Sequence, residues 1–198
     1  MGLTFDNASG QTPLDEEEKE GLLIKTITAR TELDEFEQHN IEKAMLWLRK
    51  KKFKSAELLA EKMIREFHRR MYADVWKWAG SFRKTDKNIG IENHAISTAL
   101  RQLVDDCNYW IEQRSFPEEE IAIRFKHRIV QIHCFANGNG RHSRLMADAM
   151  MEKIFNLPLF TWGSANLSSN SNTRINYIKS LKQADTGNYK ELLAFAKS

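Results

Sequence analysis

Apolar residues recur at helical spacing along most of the chain. Four of them follow one another at intervals of four positions and predict one long amphipathic helix. These four are Leu59, Met63, Phe67 and Met71. The same period predicts further helices within the stretches 31–49, 100–111, 121–132, 145–154, 175–181 and 192–195. The hydrophobic pattern therefore predicts a mainly α-helical fold.

One stretch in the middle of the chain breaks this period. Between residues 78 and 91 the helical spacing disappears, and Gly80 and Gly90 bracket the segment. Residues 85–88 (Thr-Asp-Lys-Asn) supply turn formers between two short extended pieces. The pattern predicts a small β-hairpin here.

The length and composition favour one globular domain. A chain of 198 residues with 41% hydrophobic and 29% charged positions can bury one core. The polar start predicts a partly flexible N-terminal extension over residues 1–30, followed by a single domain over 31–198. No apolar run is long enough for a membrane span, residues 1–10 lack signal-peptide blocks, and Cys107 and Cys134 fit free thiols. These features predict a cytoplasmic protein.

A basic cluster after the first long helix raises the question of nucleic-acid binding. Its members are Arg49, Lys50, Lys51, Lys52 and Lys54. The formal net charge of the chain is only +3, and no base-reading motif accompanies the cluster. A solvated helix end is the favoured interpretation, and nucleic acid is not expected as a partner.

Residues 133–144 (His-Cys-Phe-Ala-Asn-Gly-Asn-Gly-Arg-His-Ser-Arg) lie between two predicted helices. The glycines Gly138 and Gly140 allow backbone amides to turn inward, and the following helix start adds partial positive charge. Arg141 and Arg144 bring fixed charge suited to phosphate oxygens. A P-loop is excluded because no Gly-Lys-Ser or Gly-Lys-Thr follows. The segment predicts a site for a polyphosphate.

Each part of this segment alone fits an ordinary turn, but together its letters match His-x-Phe-x-x-Gly-Asn-Gly-Arg-x-x-Arg at all seven fixed positions. In this motif the chain resembles the Fic-domain family. The similarity extends to Trp78-Ala79-Gly80 and Phe82-Arg83, and later to Arg174, Tyr177, Ile178 and Leu181. It implies a Fic-type helical bundle with a β-hairpin flap, residues 82–91, beside the active-site loop. The mobile mystery protein B branch is the most similar, which implies a bacterial toxin–antitoxin or mobile-element setting and a helix-turn-helix partner protein.

The resemblance also implies a reaction, the transfer of AMP from ATP to a Ser, Thr or Tyr hydroxyl of a target protein. His133 would be the general base, a role that suits an imidazole at neutral pH. Gly138, Asn139, Gly140 and Arg141 would hold the phosphates, and Arg144 would hold the γ-phosphate. The flap residues that would dock the target backbone by strand addition are Lys87, Asn88, Ile89, Gly90 and Ile91.

Two positions depart from the family pattern. Asn137 stands where many members carry the Asp or Glu that binds Mg²⁺, so we expect it to ligate the cation more weakly. The nearest counterpart of the family's inhibitory helix is Thr31 to Glu35, but Phe36 follows where Gly or Asn is usual.

Two other functions remain open beside AMP transfer. The site could use another phosphate-bearing donor, or the protein could be a non-catalytic nucleotide-binding module of toxin type. Cys134, although next to His133, is expected to be inert. His127 and His142 are expected to be structural, because no compact set of ligands accompanies them.

Overall fold

The computed structural model describes residues 14–163 and 172–198. These residues contain nine α-helices, which are α1 Glu16–Glu20, α2 Arg30–Lys50, α3 Ser55–Leu58, α4 Glu61–Tyr72, α5 Ile96–Glu112, α6 Glu118–Ile132, α7 Asn139–Met150, α8 Asn172–Asp185 and α9 Lys190–Ala196. The prediction of a mainly α-helical fold is confirmed. None of the described helices is long and apolar enough to cross a bilayer.

Helix α6 lies at the centre of the bundle. It packs against α5 and α7, while α4 packs against α2 and α7. The apolar stripes predicted from the sequence point inward, so that Phe67 of α4 and Phe125 of α6 are fully buried. Helix α7 continues as a wider π-type turn, Met151–Phe155, and Asn156 ends it in the left-handed conformation. The packing of α4, α6 and α7 places the 133–138 loop where the three helices meet.

The segment before α2 is tied to this bundle. Leu14, Leu22 and Ile27 are buried in the same core. The backbone of the segment also bonds to the α4–α5 connection, since the Leu23 amide donates to the Val75 carbonyl at 2.9 Å. Residues 1–13 of the predicted extension lie outside the described residues. A domain boundary near residue 31 stays a prediction.

The predicted β-hairpin is not formed. Residues 82–91 contain no paired strands, although they do form a non-helical flap beside the loop. The Arg83 guanidinium donates to the carbonyls of Thr85 at 2.8 Å and of Ile91, and the Asn93 side chain donates to the Lys84 carbonyl at 3.0 Å. These carbonyls accept from side chains, so the flap is held by polar side chains instead of a strand ladder.

Candidate active site

His133 ends helix α6 and begins the candidate loop. Its φ of 56° and ψ of 59° are left-handed, a conformation that costs a non-glycine residue about 1 kcal/mol. Arg83 holds the chain in this turn, because its Nε donates to the His133 carbonyl at 2.7 Å and its amide donates to the Cys134 carbonyl at 2.9 Å. The start of the loop is therefore fixed by a residue of the flap.

The Asn139 side chain closes the loop from within. Its Oδ1 accepts from the Phe135 amide at 2.9 Å, and its Nδ2 donates to the Phe135 carbonyl at 2.7 Å. The residue is only 5% exposed. Its side chain thus shapes the loop, and the contact with phosphates that the resemblance implies for Asn139 stays a prediction.

A buried histidine of α4 braces the other side of the loop. His68 Nδ1 accepts from the Gly80 amide at 3.0 Å, so Nε2 carries the proton and donates to the Asn137 carbonyl at 3.0 Å. The ring also stacks on Phe135 with centroids 3.7 Å apart. Burial holds the pKa of His68 well below 6.5, which keeps the ring neutral. Its position beside Phe67 on the apolar stripe was the sequence signal for this role.

Gly138 turns the loop into helix α7. Its φ of 78° is left-handed, and an added Cβ would lie 2.5 Å from the Tyr72 ring, so a side chain is excluded there. Nothing lies within 4 Å of the corresponding position at Gly140. The first amides of α7 have no partner within the helix, and the space beside Gly140 is open to an anion.

The two motif arginines have different surroundings. Arg141 Nη2 lies 2.6 Å from Oε2 of Glu37, which is 1% exposed, and the other oxygen of this carboxylate accepts from Trp76 Nε1 at 2.6 Å. The Arg144 guanidinium lies over the Tyr177 ring, 5.6 Å from its centroid. Within the described residues no carboxylate forms an ion pair with Arg144. Arg144 therefore offers the less compensated charge.

The family pattern predicts Thr31 and Glu35 as the inhibitory residues, and it does not identify Glu37 as a partner of the motif. Both candidates are exposed on α2, and Glu37, two residues beyond Glu35, is the carboxylate that reaches the motif. The signal was its spacing, since Leu33, Glu37 and Ile41 fall on one face of α2 and all three are buried. An acidic residue on an apolar stripe predicts a buried partner.

The flap covers His133. A Cβ added at Gly90, whose φ is +96°, would lie 2.5 Å from the His133 Cβ, so the two backbones approach closely. His133 is only 4% exposed. Burial lowers its pKa to about 4, assisted by the charges of Arg83 and Lys87 and opposed by a hydrogen bond with the Val130 backbone. The imidazole is therefore neutral at pH 7 and able to accept a proton.

Acidic residues at the start of α1 fasten the flap. Lys87 Nζ lies 3.2 Å from Asp15 Oδ2 and 2.5 Å from Glu18 Oε2, and the Thr85 hydroxyl donates to Asp15 Oδ2 at 2.9 Å. The Lys87 side chain is 5% exposed as a result. The expected target-docking residue Lys87 is therefore turned toward α1.

The rest of the flap is more open. Asn88 and Ile89 are exposed, Ile89 to 44%, while the Ile91 carbonyl accepts from Arg83. A groove of about 480 Å³ runs beside the flap, and it reaches from α1 to Ala136 of the loop. Its size is in the range of ligand pockets.

The described residues do not provide an anionic site for Mg²⁺. Asn137 Oδ1 accepts from the Gly138 amide at 2.5 Å, so this oxygen is engaged in the loop. No group of three His, Cys, Asp or Glu side chains suited to a metal lies in the described ranges. The assignment of Asn137 to Mg²⁺ stays a prediction, and no chemical step below depends on the metal.

The other reactive side chains near the loop have structural surroundings. His127 Nε2 bonds Asp185 Oδ1 at 2.8 Å, and His142 Nε2 bonds the Ile64 carbonyl at 3.0 Å. Burial raises the pKa of the Cys134 thiol to about 12, so it stays protonated at neutral pH. These surroundings agree with the structural and inert roles expected for them.

The sequence model of the Fic/DOC family matches residues 58–151. No curated protein matches the sequence. The fold is similar to the N-terminal FIC domain of the Bep8 effector of Bartonella sp. 1-1C, at TM-score 0.68 and 16% identity over 88% of this chain and 89% of that chain.

Two further structures have the same fold. BepC of Bartonella tribocorum, solved with bound AMPPNP, gives a TM-score of 0.66 and 16% identity over 92% of this chain and 97% of that chain. Fic-1 of C. elegans gives 0.62 and 22% over 80% of this chain and 46% of that chain, so this chain spans about half of its length. The mobile mystery protein B branch stays a prediction. The motif at 133–144, the helical fold and the family model agree, and residues 58–151 of the chain match the Fic/DOC family.

Proposed function

We propose that the protein transfers AMP from ATP to a hydroxyl side chain of a target protein. The observation that carries this proposal is the neutral, buried His133 at one end of a loop whose other end is the open start of α7. One end offers a proton acceptor and the other a phosphate site. The match of residues 58–151 to the Fic/DOC family model supports a transferase in general.

In the proposed reaction the target hydroxyl gives its proton to the His133 imidazole. The hydroxyl oxygen attacks the α-phosphorus, a new P–O bond forms to the target, and the bond to the leaving pyrophosphate breaks. The amides of the first turn of α7 would stabilise charge on the phosphates. A bound triphosphate would also raise the pKa of His133, because negative charge favours the imidazolium. Nucleotide binding would thus make His133 a stronger base.

ATP is the donor favoured by the likeness to BepC, which was solved with AMPPNP, a non-hydrolysable form of ATP. The target would approach along the flap, where Asn88 and Ile89 are exposed. Because the flap has no preformed strand, we expect its backbone to pair with the target only on docking. A bacterial toxin–antitoxin setting with a helix-turn-helix partner, and a cytoplasmic location, remain part of the proposal.

A second candidate is a Fic-fold transferase with another phosphate-bearing donor, or a module that binds nucleotide without transfer. Two observations favour it. Asn137 supplies no carboxylate for a metal, and Glu37 already occupies Arg141. Both would weaken a triphosphate site that needs a cation and two free arginines.

A donor screen separates these candidates. Purified protein is incubated with bacterial lysate and ATP, UTP or CDP-choline, and the mass added to each modified protein is measured. AMP transfer predicts the mass of one AMP with ATP only. Addition of UMP or phosphocholine would favour the second candidate, and the His133→Ala protein controls for lysate enzymes. No modification with any donor would contradict a transferase.

A further inference from the structure

Two buried side chains lie beneath Arg144. Lys126 of α6 is fully buried, and its Nζ lies 4.5 Å from the centroid of the Tyr177 ring. The Arg144 guanidinium carbon lies 5.6 Å from the same centroid, and Tyr177 of α8 is 8% exposed. One aromatic ring therefore contacts two cations from two different helices.

Lys126 is an unusual residue to bury. No acidic side chain of the described residues pairs with it, and neither its Nζ nor the Tyr177 hydroxyl has a partner with good hydrogen-bond geometry. Burial lowers the pKa of Lys126, and the nearby Tyr177 opposes this shift. An unpaired buried ammonium destabilises a fold, and such groups concentrate at functional sites.

The electrostatics connect the three groups. Burial acts to raise the pKa of Tyr177, yet the charges of Lys126 and Arg144 outweigh it and lower that pKa. The distances of 4.5 Å and 5.6 Å from the two cations to the ring centroid agree with this effect. The like charges of Lys126 and Arg144 also repel each other, and only Arg144 can move toward solvent, since Lys126 is enclosed.

The neighbouring acid forms no ion pair with Arg144 in the described part of the chain, although the charge of Arg144 acts to lower the pKa of Asp148. Asp148, one turn later on α7, accepts from Trp162 Nε1 at 3.0 Å and from the Phe160 amide at 3.3 Å. Its carboxylate is thus turned toward the 160–162 segment. The Arg144 guanidinium therefore contacts the Tyr177 ring and is repelled by the positive charge of Lys126.

We propose that Lys126 and Tyr177 are positioning residues for Arg144, which they hold outward for the terminal phosphate of the donor. The ring supports the guanidinium, and the buried ammonium keeps it from folding inward. The pair would thereby set the preference for a nucleoside triphosphate over a diphosphate. This inference rests on the proposed function, because it requires a nucleotide at the loop.

The test measures the dissociation constants of ATP and ADP by calorimetry, together with the melting temperature. The variants are Lys126→Met, Tyr177→Phe and Tyr177→Leu, and the matched control is Lys179→Met on the exposed side of α8. We expect Lys126→Met to raise the melting temperature and to lower the ATP-over-ADP preference at least fivefold. Tyr177→Leu should lose a similar share of the preference, and Tyr177→Phe, which keeps the ring, should lose less.

Several outcomes would overturn the inference. One is a Lys126→Met protein with a higher melting temperature and an unchanged preference, which would make Lys126 a neutral core residue. Another is an equal loss of ATP and ADP affinity, which would indicate a general structural role. If Lys126→Met does not fold, an unchanged preference in both Tyr177 variants decides against the inference. Wild-type protein that binds neither nucleotide would instead contradict the proposed function, and the inference with it.

Discussion

The buried histidines make the stability of the fold dependent on pH, and the effect can be worked out from their surroundings. Burial lowers the pKa of both His133 and His142 from 6.5 to about 4. The unfolded chain then binds more protons than the folded chain between these values. Stability is therefore present above pH 6.5 and is lost as the pH falls toward 4.

Between pH 7 and pH 5 each of these two histidines should remove about 2 kcal/mol from the free energy of unfolding. Asp148 acts in the opposite direction, because burial raises its pKa to about 6 and the folded state takes up its proton first. That gain is about 1 kcal/mol at pH 5. His68, whose pKa is also lowered, adds to the loss. The net expectation is a loss of about 3 kcal/mol or more.

The decisive variant is His142→Gln, which keeps a side-chain donor near the Ile64 carbonyl but cannot titrate. Urea unfolding at pH 7 and pH 5, followed by tryptophan fluorescence, gives the loss for each protein. The loss in His142→Gln should be smaller than in wild type by about 2 kcal/mol. The control is His94→Gln, at a histidine that is 77% exposed, and it should match wild type. Equal losses in wild type and His142→Gln would refute the reasoning.

Three further predictions concern the active site. In an assay with labelled ATP, His133→Ala should lower the rate of transfer by about 10²–10⁴-fold. The affinity for ATP should stay nearly unchanged, because the substitution removes only the proton acceptor. Cys134→Ala is the control and should transfer AMP at the wild-type rate. Glu37→Gln should increase the affinity for ATP several-fold, measured by calorimetry, because it frees Arg141. Glu35→Gly, on the exposed face of α2, should leave the affinity for ATP unchanged. An increase in Glu35→Gly and none in Glu37→Gln would restore the hypothesis that Glu35 is inhibitory. Asn137→Asp should increase the affinity for Mg²⁺ by about tenfold, or about 1–2 kcal/mol, when transfer is measured against the magnesium concentration. Identical curves for the two proteins would show that residue 137 does not bind the metal.

The helices and the active-site loop could be predicted because their signals are local. The four-residue spacing of Met63, Phe67 and Met71 specifies one face of α4, and Phe67 and Met71 are buried as predicted. Leu59, the first residue of the predicted helix, lies before α4 and ends α3 instead. The letters of residues 133–144 likewise sufficed to locate the loop. Such signals need only neighbouring positions in the chain.

The missed features depend on contacts between distant positions. The flap lacks a hairpin because Arg83 bonds its carbonyls, and turn propensity carries no information about that side chain. Glu37 meets Arg141 across more than a hundred residues, and α1 meets Lys87 across about seventy. The spacing of the family pattern predicts Glu35 as the inhibitory residue. Glu37, however, lies on the buried face of α2 and is the residue that contacts Arg141.

The central step of the proposed reaction is the activation of a hydroxyl by His133 for attack on the α-phosphorus. The most direct measurement is the incorporation of label into protein from ATP labelled at the α-phosphate, compared between wild type and His133→Ala. If His133 is the general base, wild type incorporates the label stably and the variant loses about 10²-fold or more of this incorporation. Equal incorporation by both proteins, or none from wild type under conditions where it binds ATP, would contradict it.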